Sequence, residues 1–237
     1  MRFESPLIEG RLLRRYKRFL ADVELINGDR VVAHCANPGA MTTCAEVGSP
    51  VWLSRATNPK RKLKYTWELA QVGDDLLSVN TTVANHLVAE ALATDSIAPL
   101  SGYDHLDREV RYRNSRLDFR LSHSGRKPCW VEVKTVTLRD CEGQCAFPDS
   151  VTVRGRRHLD DLIALANDNY RAVLLFVCTR TRTNSIRPAS EIDPKYAQTL
   201  IKAVSQGVEA LALGCSISPQ SITINRRLTI NLENQPC

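Results

Sequence analysis

The segment WVEVKTV, residues 130–136, places Glu132 and Lys134 one residue apart inside an apolar, β-branched run. Such a run reads as a strand, and the two-residue period puts both charges on one face while Val131 and Val133 take the other. Opposite charges on a mostly buried strand need a reason, because burying either one unpaired is expensive. Two readings are open. One is a structural charge network with Arg116 and Arg120; the other is a metal-dependent hydrolytic site. In SRLDFRL, Leu117, Phe119 and Leu121 alternate with Arg116, Asp118 and Arg120, which holds Asp118 on the polar face of its own strand. The turn HSGRKP returns the chain to WVEVKTV, and antiparallel pairing then brings Asp118 close to Glu132 and Lys134.

Two carboxylates beside a phosphate-binding surface suit a hard cation. Magnesium, or manganese in its place, prefers oxygen ligands and keeps several waters, so Asp118 and Glu132 suffice as direct ligands, with the Val133 carbonyl as an addition. Such an ion polarises a phosphodiester oxygen and activates its bound water. Lys134 is then expected to orient that water or to stabilise charge on the phosphoryl group. Glu90, beside the apolar stripe of a preceding helix, is expected to supply a third carboxylate. The five histidines form no HxH or HExxH pattern, so the site is not built on histidine ligands.

Phosphate binding is argued from charge. The chain of 237 residues carries a net charge of +6, concentrated in three places. RLLRRYKR holds Arg14, Arg15, Lys17 and Arg18; PKRKLKY holds Lys60, Arg61 and Lys62; RGRRH holds Arg154, Arg156, Arg157 and His158. If these converge they form a surface for DNA phosphates. The last cluster opens a helix, whose exposed amides also favour anions.

Residues 1–80 read as an all-β unit. RFLADVELINGDRVVAHCA alternates around Asn27-Gly28, a hairpin signal, and further strands follow at 50–54 and 65–72. Short strands with basic loops fit a small oligonucleotide-binding (OB-like) barrel. Tyr16, Trp52, Tyr65 and Trp67 are available for stacking on bases, with a place in the barrel core the alternative for the two tryptophans. From residue 80 the period changes. A helix over 80–93 is capped by Asn80, Thr81 or Thr82, and strands follow at 108–113, 115–121 and 129–136. Helices near 156–167 and 194–206 then alternate with strands at 171–178 and 208–218, while 137–150 reads as loop. This order predicts a mixed α/β layer over 81–237, with the final segment SITINRRLTINL free to pack on either part.

Composition narrows the class. The longest apolar run, AVLLFVC at 172–178, is too short to cross a bilayer, and the first residues lack the apolar core of a signal peptide. A cytoplasmic protein with no membrane association is expected. The eight cysteines include no CxxC pair, which favours reduced thiols. Cys141 and Cys145 are spaced to share a metal, yet nothing nearby completes a zinc set. Aromatic content of 6% argues against a sugar-stacking pocket. Oligomeric state is left open, a homodimer included.

Seven segments together resemble the sugar fermentation stimulation protein A (SfsA) family across nearly the whole chain. They are FxxPLxxGxLxxRYKRFLADV (3–23), NPKRKLxYTWEL (58–69), VNTTVANHLVAEAL (79–92), SRLDF (115–119), VEVKTVTL (131–138), FPDSVTVRGRRHL (147–159) and IDPKYA (192–197). The resemblance implies an OB-like barrel followed by a restriction-endonuclease-like domain of the PD-(D/E)xK type. By it, Asp118 matches the motif aspartate, Glu132 and Lys134 match its second half, and Glu90 matches the helical glutamate of such nucleases. Leu117 stands where the motif has proline. HCANPGAM at 34–41 departs from the family's HCPNTGRM, with Ala40 in place of an arginine. The resemblance further implies DNA binding without strong sequence preference and a link to sugar utilisation. A nuclease and a non-catalytic regulator on a nuclease fold are both consistent with it.

Overall fold

The computed structural model describes residues 1–140 and 143–232. Cys141 and Cys237 therefore lie outside the described residues, and with Cys141 the proposed pair with Cys145. The other six cysteines are free and buried.

The N-terminal unit consists of β1 (Ile8–Tyr16), β2 (Leu20–Leu25), β3 (Arg30–Cys35), β4 (Pro50–Arg55), β5 (Tyr65–Val72) and β6 (Asp75–Ser78). The strands run β3-β2-β1-β4-β5, and parallel pairing of β3 with β5 closes these five into a barrel. Closure removes exposed strand edges, which matters for a unit this small. Leu12, Ala21, Val23, Ala33, Leu53 and Trp67 fill the interior. Trp67 is fully buried, so it belongs to the core, and Trp52 packs partly buried against the neighbouring unit's core. The RLLRRYKR cluster is mostly strand rather than loop. Leu12 faces the core while the arginines around it face out, and their charge masks the alternation.

The C-terminal unit begins with α1 (Thr82–Ala93) and continues through β7 (His105–Tyr112), β8 (Ser115–Ser122), β9 (Cys129–Val136), β10 (Leu138–Arg139) and β11 (Cys145–Phe147). It is completed by α2 (Val153–Asn167), β12 (Arg171–Cys178), β13 (Ser185–Pro188), α3 (Pro194–Ser205), β14 (Glu209–Ile217), β15 (Ile222–Arg227) and β16 (Thr229–Ile230). The main sheet runs β15-β14-β12-β9-β8-β7, with β9, β12 and β14 parallel. Buried on both faces, β12 shows the unbroken apolar run expected of a central parallel strand. α1 covers one face with Val83, Leu87 and Val88; α2 and α3 cover the other with Leu159, Leu162 and Leu200. SITINRRLTINL packs on this unit, β15 along β14 and β16 along β13.

The segment 137–150, expected to be loop, contains β10 and β11, which join β13 and β16 in a small second sheet. Strands of two and three residues are too short to display a period. The two units are joined through Asp75. Its carboxylate accepts from Arg180 Nε at 2.7 Å, from Thr181 Oγ1 at 2.8 Å and from the amides of Thr181 and Arg182. Ser78 N–H adds a bond to the Thr179 carbonyl at 2.9 Å.

Candidate active site

The β8–β9 ladder pairs Phe119–Leu121 with Cys129–Val131, and beyond it the strands part. Asp118 fills the gap. Its Oδ2 accepts from the Val133 amide at 2.8 Å, and its Oδ1 accepts from Asn85 Nδ2 of α1 at 2.7 Å. Burial is the main influence on this carboxyl and the charge of Glu132 the next; together they raise it to about 6, against the pull of the two donors and Lys134.

Glu132 and Lys134 face α2 and α3, as the alternation of β9 requires. Lys134 Nζ donates to Glu132 Oε1 at 2.6 Å, and the Glu132 side chain is only 4% exposed. Burial alone would raise its pKa; Lys134 and the bonded His158 outweigh that and hold it below the ordinary value. The other oxygen, Oε2, is buried with no hydrogen-bond partner among the described residues, as is the hydroxyl of Tyr196 on α3. That phenol is held well above its ordinary range, first by burial and then by the charge of Glu132.

The second partner of Glu132 is a correction to the expectation from sequence. His158, expected among the phosphate-binding residues, is buried and its Nδ1 bonds Glu132 Oε1. Arg154 Nε donates to His158 Nε2 at 3.3 Å, so the network fits a ring that donates from Nδ1 and accepts at Nε2. Periodicity held the signal: His158 lies on the stripe Gly155, His158, Leu159, Leu162 that α2 turns inward.

Glu90 is likewise not brought to the carboxylates. It pairs with the Met1 amino group at 2.6 Å, and the α1 residue that reaches Asp118 is Asn85. Five residues on a helix are about 140° of rotation, so the two positions face different ways. Asn85 was missed; its signal is a polar residue of low helix propensity beside the buried Val83 and Ala84.

Other arginines also turn to structural work. Arg15 donates to the carbonyls of Asn37 and Gly39, both at 2.9 Å, and of Ala40 at 3.2 Å, which fixes the loop after β3. Arg156 bonds both oxygens of Asp193, the N-cap of α3. Arg14 pairs with Asp22 at 2.6 Å and lies over the Tyr16 ring. Lys17, Arg18, Lys60, Arg61, Lys62, Arg154 and Arg157 are exposed. The first five lie in two loops that flank one end of β3: the β1–β2 turn, where Phe19 O accepts from Cys35 N, and the β4–β5 loop, which leads to Tyr65 opposite Ala33.

Lys134 borders a cleft of about 300 Å³ between the units, walled by Asn37 and Gly39 of the barrel, Thr81, and Asp149–Thr152 at the start of α2. A Cβ at Gly39 would meet the Asp149 carboxylate at 2.0 Å, so any larger residue there displaces that side chain. Among the described residues no three His, Cys, Asp or Glu side chains are grouped to hold a metal ion.

Comparison with known proteins follows the same division. Residues 13–79 match the SfsA N-terminal OB domain and residues 82–221 match the sugar fermentation stimulation protein RE domain. The chain belongs to the SfsA family. A sugar fermentation stimulation protein homolog of Pseudoalteromonas atlantica is 54% identical over 231 residues, covering 96% of this chain and 98% of that protein. The homolog of Pseudomonas aeruginosa is 49% identical over 236 residues, covering 98% and 100%. The structure of Pyrococcus furiosus SfsA in complex with Ca2+ superposes with a TM-score of 0.88 at 28% identity, covering 98% of each chain. This SfsA-family chain thus has the barrel and mixed α/β architecture that its sequence implied. Among its described residues no helix is long and apolar enough to cross a membrane.

Proposed function

We propose that this protein binds DNA largely through the phosphate backbone and hydrolyses phosphodiester bonds at Asp118, Glu132 and Lys134 with a magnesium or manganese ion. The observation that carries the reading is the parting of β8 and β9, where the buried Asp118 carboxyl meets the charge of Glu132, itself bonded to Lys134. The residues fit a hard cation: among the described residues Glu132 Oε2 is buried without a donor, and the Asp118 carboxyl is raised first by burial and then by the charge of Glu132. A cation here would rest on Asp118, Glu132, the Val133 carbonyl and water, a sparse protein coordination that magnesium tolerates. The Pyrococcus relative, solved with Ca2+, adds support for an oxygen-preferring ion.

When bound, the ion supplies Lewis-acid polarisation and an activated water. The chain's own residues do the rest. Asn85 and the Val133 amide fix the Asp118 carboxylate, while Lys134 presents its ammonium at the cleft wall, positioned to stabilise charge on the phosphoryl group. Lys17, Arg18, Lys60, Arg61, Lys62, Arg154 and Arg157 hold the backbone. The relatives are named for stimulation of sugar fermentation, and a link of this chain to sugar utilisation is part of the same proposal.

One observation favours a second reading, a non-catalytic DNA-binding regulator that keeps the fold. Lys134 and His158 both pair with Glu132 Oε1, so the lysine already has a structural partner without any substrate or ion. Incubation with labelled single- and double-stranded DNA under Mg2+, Mn2+ or EDTA separates the two. Metal-dependent cutting that disappears in Asp118→Ala and Glu132→Ala is expected; salt-sensitive binding without cutting supports the regulator.

A further inference from the structure

A second polar cavity, of about 800 Å³, lies between the barrel and α1. Its floor is the outer face of β3, β4 and β5, which includes Glu68. That side chain is buried, yet among the described residues no cation pairs with it: Oε1 accepts from Ser54 Oγ at 2.7 Å and Oε2 from Asn80 Nδ2 at 2.8 Å. Each oxygen of a carboxylate has two lone pairs, so each retains one acceptor position, and two neutral donors fix the plane in which they lie. Around Glu68 stand groups without hydrogen-bond or ion-pair partners among the described residues: His34 from β3, His86 from α1, and Arg55 and Arg61 at the rim. Burial first, and then the charge of Arg61, hold His34 below its ordinary value, so at neutral pH it offers an uncharged planar ring.

We propose that this groove seats one unpaired guanine of a bound DNA strand, read by Glu68. Guanine carries two donors side by side, N1–H and the N2 amino group, matching the two oxygens of a fixed carboxylate. Adenine and cytosine set one donor beside an acceptor, and thymine flanks its single donor with two carbonyls; an acceptor facing a carboxylate is repelled. His34 and His86 supply flat faces for stacking, and Arg55 and Arg61 reach the flanking phosphates.

The location agrees with this use. The groove ends at Ala36, Asn80 and Thr82, and the Lys134 cleft begins at Asn37 and Thr81. Thr81, which lines the cleft, lies in the chain between Asn80 and Thr82 of the groove; its Oγ1 donates to Ala36 O at 2.8 Å and its carbonyl accepts from Thr135 Oγ1 at 3.0 Å. A strand anchored by its guanine passes over Thr81 to Lys134, which gives a backbone-directed protein a base preference beside its cleft. The assignment rests on the DNA-binding reading above.

Fluorescence anisotropy on the full chain, with no metal added, tests it. The probes are oligo-thymidine, the same strand with one central guanine, and the same strand with one central inosine, which lacks the N2 amino group. Guanine is expected to bind roughly tenfold tighter than thymidine alone, with inosine between them. Glu68→Gln is expected to collapse the guanine-to-thymidine ratio toward one. Equal affinity for all three strands would overturn the groove assignment, whereas oligo-thymidine that fails to bind would sink the DNA reading beneath it. Free guanosine monophosphate competing as well as the guanine strand would overturn the assignment to a strand.

Discussion

Asp118 carries the cost of the site. Its carboxyl is raised from an ordinary 3.8 to about 6, chiefly by burial and then by Glu132. An acid whose native value is raised binds its proton more tightly folded than unfolded, so stability falls as pH climbs from about 4 to about 6 and stays reduced above. Asp118→Asn keeps the shape and removes the charge. At pH 7.5 it is expected to stabilise the chain by about 2 kcal/mol, seen as a higher melting temperature, and the gain is expected to vanish near pH 4. Equal melting temperatures at pH 7.5 would mean that Asp118 is not strained. At this scale the sequence was informative about type and uninformative about orientation. Strand alternation did place Asp118 near β9 and set Lys134 beside Glu132, as the Val133 amide bond and the Lys134–Glu132 pair show. Glu90, His158 and Arg15 were misplaced because a charged residue at a helix edge or in a basic run looks the same whether it turns outward or inward. The partners that decide the turn, Met1, Glu132 and the 37–40 carbonyls, are distant in sequence.

Among the elements, α2 and α3 set the back wall of the site, and both depend on Asp193. That carboxylate caps α3 through Tyr196 N at 3.0 Å, accepts from Thr152 N at the start of α2 at 2.9 Å, and pairs with Arg156. Asp193→Ala removes a cap and leaves Arg156, 20% exposed, without its carboxylate. A loss of about 2–4 kcal/mol in unfolding free energy is expected, read as a lower urea midpoint and partly recovered by Asp193→Asn. An unchanged midpoint would show that the helices hold their places without it. The helices themselves were readable, since their apolar stripes are long; IDPKYA even displays the Asp cap with a proline behind it. β10, β11 and β13 were not, because pairing partners and not propensity define strands of two to four residues.

For the molecule as a whole, Asp75 and Arg180 make the barrel and the α/β unit one body. Both side chains are 2% exposed. Burial opposes ionisation of Asp75, but Arg180, Thr181 and Arg182 keep its carboxyl below the ordinary value. That stability is present above the unfolded carboxylate's value and lost as pH falls through the lower native one. Asp75→Ala strands a buried guanidinium and is expected to cost about 3–5 kcal/mol, with calorimetry resolving two transitions in place of one. A single unshifted transition would show that the clamp is dispensable. The clamp could not be read beforehand, because its partners lie 105 residues apart. It matters for function because the Lys134 cleft is walled by both units, and separating them would dismantle it.

The central claim is that Lys134 acts on a phosphodiester, and Lys134→Met tests it most directly. The variant keeps the length of the side chain while removing the ammonium that bonds Glu132. Cleavage of labelled DNA with Mg2+ or Mn2+ and binding by anisotropy are measured on the same preparation. Turnover is expected to fall at least a hundredfold, roughly the scale for losing one electrostatic stabiliser, while affinity for DNA stays within a few fold. Cleavage by Lys134→Met at the rate of the natural chain would contradict the account.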